Sequence, residues 1–131
     1  MRFILVACGF MCAGPALAET VYDCTITSRG GKNIPDYVIV TFDAKSETAT
    51  AMDGFVDYYV GKPIKGRVVK NNDKRLTVSY SLENITAKHG GTILDDETRL
   101  TVVKASGEAI VSYKQNGGSV TNGSGTCKIG K

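Results

Sequence analysis

A single antiparallel β-barrel of about seven to nine strands is the fold this sequence predicts, and three observations predict it. Over residues 19–131 the types Val, Ile, Thr, Tyr and Phe number 41, against 11 for Leu, Ala and Met together. Branched and aromatic side chains suit a pleated, half-buried surface, and the straight-chain helix formers are scarce. No long segment carries apolar positions at i, i+3, i+4 and i+7, so helices are expected to be absent or a single turn. Strand-like runs recur every eight to twelve residues between turn residues, the spacing of closed barrels and of β-sandwiches alike. A sandwich is therefore the alternative.

Residues 1–18 stand apart from that pattern. Arg2 is followed by an apolar or small stretch from Phe3 to Ala13, then Pro15, Ala16, Leu17 and Ala18. The stretch is shorter than the ~20 residues a membrane-spanning helix needs. Ala16 and Ala18 occupy the small-residue positions that signal peptidase reads, so residues 1–18 are expected to be a secretory signal peptide and residues 19–131 one domain. A competing reading, lipid attachment at Cys8, leaves only seven residues before the cysteine to engage the export machinery.

Removal of that segment takes away Cys8 and Cys12 and leaves Cys24 and Cys127, which allow one pairing. An oxidising compartment favours the bond. The partners lie 103 positions apart, for which chain entropy gives an upper figure of about 4–5 kcal/mol. A redox or metal role is poorly served, since no CxxC spacing exists and His89 is the only histidine.

Each strand has its own signature. Val21–Ser28 sets Tyr22, Cys24 and Ile26 against Asp23, Thr25 and Thr27. Gly30 and Gly31 interrupt it, and Asp36–Asp43 follows with both faces largely apolar, as in a more buried strand. Across Thr48–Val60 two apolar stretches meet at Asp53 and Gly54, where a bulged strand or a tight hairpin is expected. Strands at Gly66–Lys70 and Arg75–Leu82 flank Asn71, Asn72, Asp73 and Lys74, a hairpin signal. Leu76, Val78, Tyr80 and Leu82 alternate with Arg75, Thr77, Ser79 and Ser81, one set for the core and one for water. From Asn84 through Glu97 the longest loop is expected, followed by strands at Thr98–Lys104 and Ala109–Gln115. Ser119–Thr121 and a last short strand near Thr126–Ile129 complete the set, and a bond between the first and last strands would assist barrel closure.

Few side chains suggest catalysis, and the chain is not expected to be an enzyme. His89 precedes Gly90 and Gly91 and reads as an exposed loop residue; no glycine-flanked serine of the nucleophile-elbow kind lies beside a strand-to-helix transition. Asp95, Asp96 and Glu97 are consecutive, unlike the alternating oxygens of a calcium loop, and read as a solvated loop apex. Asp53 and Asp57 read as turn-flanking acids. The triplets at Asn84–Thr86 and Asn122–Ser124 carry no expectation of glycosylation, and no cofactor or metal is implied.

The basic residues carry the sharper signal. Lys62, Lys65, Arg67, Lys70, Lys74 and Arg75 fall within fourteen positions that hold one acid, Asp73, a local net of +5. Presented on one side, they would attract an acidic protein partner or an anionic envelope component, screened by salt. The bland reading is that edge strands carry lysine to discourage edge-to-edge pairing. Globally, fifteen Lys and Arg against thirteen Asp and Glu in residues 19–131 is too small an excess to imply nucleic acid.

The signal peptide, the first-strand Tyr22-x-Cys24 and the terminal Gly125-Thr126-Cys127 together resemble small periplasmic β-barrel proteins of Gram-negative bacteria, the best known being inhibitors of C-type lysozyme. The resemblance implies a periplasmic or secreted barrel and a protein target. Those inhibitors offer a Ser-Gly-x-x-Tyr loop; here Ser106 and Gly107 lead to Ile110 at the tyrosine position, with the next tyrosine at Tyr113. No inhibitory residue is carried over. Three roles follow in order: a periplasmic binding or interaction module, an inhibitor of a cell-wall hydrolase, and a small apolar-ligand carrier similar to lipocalins, whose Gly-x-Trp signature this tryptophan-free chain lacks.

Overall fold

In the computed structural model, which describes residues 19–31, 33–86 and 90–130, eight strands form one closed antiparallel barrel. They are β1 (Glu19–Arg29), β2 (Tyr37–Asp43), β3 (Thr48–Asp53), β4 (Ile64–Asn71), β5 (Arg75–Thr86), β6 (Thr92–Val103), β7 (Glu108–Gln115) and β8 (Val120–Gly130), each paired with its sequence neighbours. The ring closes between β1 and β8, where Cys24 lies directly opposite Cys127 and the two are joined by a disulfide. The signal peptide expected over residues 1–18, and His89, lie outside the described residues.

Alternation puts the core inside. Tyr22, Cys24, Val38, Val40, Phe42, Leu76, Val78, Leu100, Val102, Ala109 and Val111 are buried, while Asp23, Thr25, Lys65, Arg67, Arg99 and Lys114 face outward. This is the reverse of the apolar-outward pattern with which barrel strands cross a bilayer. No helix among the described residues is long and apolar enough to cross a membrane. Gly125 lets β8 close onto β1, because a Cβ there would collide with the Thr25 carbonyl oxygen.

Four sequence expectations are corrected. The acidic run Asp95–Glu97 is not a loop apex: β6 begins at Thr92 and pairs with β5, and Asp96 turns inward and is buried. Residues after Asp53 form neither a bulge nor a hairpin but a short helix, α1 (Gly54–Tyr59). Asp53 is its N-cap, its carboxylate accepting from the Val56 N–H at 2.8 Å. The two expected terminal strands are one continuous β8. Finally, Thr77 and Ser79 point outward yet are buried, because Thr77 shares a hydrogen bond with Thr101 and Ser79 donates to Glu97 on the neighbouring strand.

Helix α1 spans one end of the barrel. Val56 is buried in the core, and Phe55 stacks on Tyr113 of β7, on the wall opposite β3, with ring centroids 5.6 Å apart.

Candidate functional site

Strand β4 divides its pairing between two neighbours. Its upper part pairs with β3 (Ala49↔Gly66, Thr50↔Lys65, Ala51↔Ile64), and its lower part pairs with β5 from Arg67↔Ser79 to Asn71↔Leu76. The β4–β5 ladder therefore stops at Arg67, and above it the strands part. At that fork a Cβ on Gly66 would lie 2.7 Å from Val78 Cγ1, so only glycine lets β4 pass so close before it leans towards β3.

Between the parted strands lies an open groove of about 520 Å³. Lys65, Gly66 and Arg67 line one side, Ser79, Tyr80, Ser81 and Glu83 the other, with Glu97 of β6 beyond. The Ser79 hydroxyl donates to Glu97 at 3.0 Å, and Arg99 approaches the same carboxylate at 3.8 Å. Glu97 is thus already engaged.

All six basic residues singled out in the sequence are exposed. Lys65 and Arg67 share the outward face of β4. A register shift between Val68 and Lys70 makes Val69 the extra residue and returns Lys70 to that same face, opposite Thr77. Arg75, preceding the inward Leu76, joins them from β5. Lys62 lies in the connection before β4, and Lys74 in the turn between β4 and β5, where Asn72 Oδ1 accepts from the Lys74 and Arg75 backbone N–H groups at 2.9 and 2.8 Å. Four of the six therefore form one face, flanked by the other two. Among the described residues the ion pairs are Arg29–Asp36 and Arg99–Glu97, so none of the six is neutralised by an acid.

A second polar group, absent from the sequence reading, sits inside the barrel beside α1. The Tyr80 hydroxyl donates to Asp53 Oδ2 at 2.6 Å, and the Tyr113 hydroxyl donates to Asp96 Oδ2 at 2.5 Å. Burial raises the Asp53 pKa, an effect partly offset by the hydrogen bonds from Tyr80, Val56 and Phe55. Burial likewise pushes Tyr80 well up, reinforced by the charge of Asp53. Tyr113 is raised by burial first and then by its bond to Asp96. Asp96 Oδ1 is buried and has no hydrogen-bond partner among the described residues. The signal for this group was the period-two pattern: counting back from Val102 through Leu100 and Thr98 puts Asp96 on the inner face. Among the described residues no three His, Cys, Asp or Glu side chains gather to hold a metal ion.

Fold and site together define a disulfide-closed, eight-stranded antiparallel barrel with buried apolar side chains inside and a cationic outer face on β4 and β5. Comparison with protein-family models, with curated proteins and with solved structures finds no match.

Proposed function

We propose that this protein is an exported binding module that engages an anionic partner through the outward face of β4 and β5. One observation carries the reading: Lys65, Arg67, Lys70 and Arg75 stand exposed on one face, unpaired with any acid among the described residues, beside a groove of about 520 Å³. Uncompensated like charges repel one another, and an anionic partner relieves that repulsion. The disulfide and the character of residues 1–18 favour an oxidising compartment, periplasmic or extracellular, as its place of work. An interior occupied by buried side chains, Tyr22, Phe42, Leu76 and Leu100 among them, favours recognition on the outer surface over carriage of an apolar ligand.

Poly-L-glutamate serves as the probe. The protein should bind it at low ionic strength and lose affinity steeply as salt is added. The charge-reversed variant K65E/R67E/K70E/R75E, checked for an intact fold by circular dichroism, should lose binding. A wild-type chain that ignores the polymer, or a folded variant that binds it equally well, refutes the reading.

A further inference from the structure

We propose that the partner binds as an added strand: an extended acidic segment of another protein pairs its backbone with the upper edge of β5, at Tyr80–Glu83. This rests on the anionic-partner reading above and specifies how the partner is held.

Strand β5 is twelve residues long and pairs along β6 over nearly its whole length, yet its ladder with β4 covers only Leu76–Ser79. Above Ser79 one edge of β5 faces the groove rather than a neighbouring strand. Alternate residues of a strand direct their N–H and C=O groups to the same side, so this edge is a ready template for another chain. Asn84 limits it from above, because its φ of 52° and its omission from the β5–β6 register break the extended backbone that an added strand would follow. The usable edge is four residues, about 13 Å at the usual rise per strand residue.

The walls specify what that strand carries. Side chains of an added strand would alternate between the outward surface and the barrel side. Outward positions would lie between Lys65 and Arg67 on one flank and Ser81 and Glu83 on the other. Glu97 is held by Ser79 and Arg99, so Lys65 and Arg67 outweigh the remaining acid Glu83 and favour carboxylates. Inward positions would meet the Ile64, Tyr80 and Leu82 side and favour apolar groups. The recognised sequence is thus acidic and apolar in alternation. A second copy of this chain is disfavoured, since edge-to-edge pairing would bring two sets of Lys65 and Arg67 together.

The test uses the whole protein and the peptide acetyl-Glu-Val-Glu-Val-Glu-Val-amide, with two further versions N-methylated on the odd or on the even amides. Affinity is read by fluorescence anisotropy of labelled peptide, and amide exchange of the protein by NMR. The parent peptide should bind at least about tenfold more tightly than one of the methylated versions, the effect of removing its strand hydrogen bonds. It should also protect amides within Tyr80–Glu83 and lose affinity to K65E/R67E. Equal binding of all three peptides, or protection on a different strand edge, overturns strand addition while leaving the anionic reading intact. The same holds if poly-L-glutamate binds and the peptide does not. Failure of both probes removes the underlying reading as well, and dimerisation through this edge overturns the choice of occupant.

Discussion

At the scale of single residues, Asp53 and Asp96 show how the same pair of groups acquires different roles. Both are buried carboxylates holding a tyrosine hydroxyl, but Asp53 also accepts from the Val56 N–H, whereas Tyr113 is the one partner Asp96 has among the described hydrogen bonds. Tyr80→Phe therefore leaves Asp53 hydrogen-bonded, while Tyr113→Phe leaves Asp96 with no partner. Urea unfolding should find a cost of about 1 kcal/mol for Tyr80→Phe and a larger one, up to about 3 kcal/mol, for Tyr113→Phe; equal costs would show that Asp96 has another donor. Asp53 also fixes a pH dependence. Its pKa is raised in the folded state, so its contribution to stability is full below the unfolded carboxylate value and declines as pH climbs through the folded one. The stability difference between wild type and Asp53→Asn should thus shift against wild type as pH rises from about 3 to 7. A difference curve that is flat or of opposite slope would show that hydrogen bonding, not burial, dominates at Asp53.

At the scale of elements, the two glycines at crossing points bear the tightest constraints. Gly66→Val places branches where even a Cβ meets Val78 at 2.7 Å, and should cost about 1–3 kcal/mol, read from the urea midpoint. A neutral result would mean that β4 can lean away from β5 without loss. Alternation made Arg75–Leu82 and the Cys24 strand readable from sequence, because one face of each is uniformly apolar. It concealed β6: three consecutive acids look like a solvated turn, and only the barrel interior, where the Tyr113 hydroxyl donates to Asp96, makes the middle one tolerable. Likewise Phe55, Tyr58 and Tyr59 have no strong helix preference, and α1 forms because Asp53 caps it and Val56 is buried. The basic cluster was legible as composition. Its shared face was not, since that depends on the extra residue Val69 returning Lys70 to the side of Arg67, and the groove depends on where the β4–β5 ladder ends.

At the scale of the whole molecule, the barrel has two unlike joints on opposite walls. One is the β1–β8 closure, continuous in register apart from a shift near Ile26 and clasped by Cys24–Cys127; the other is the fork at β4, where pairing passes from one neighbour to the next. The clasp acts chiefly on the unfolded chain, by closing a loop between partners 103 positions apart, so its removal should lower stability by up to about 4–5 kcal/mol without reshaping the native fork. Binding at the fork and the state of the clasp should then be independent, since sites on opposite walls with no shared contacts contribute additively. The measurement pairs Cys24→Ala/Cys127→Ala with wild type: its urea midpoint should fall, while poly-L-glutamate affinity, taken where both chains are folded, stays within about twofold. An affinity that dropped with the disulfide would mean that the barrel transmits strain from its seam to β4, and that the fork is held open from the far wall rather than by Gly66 and its neighbours.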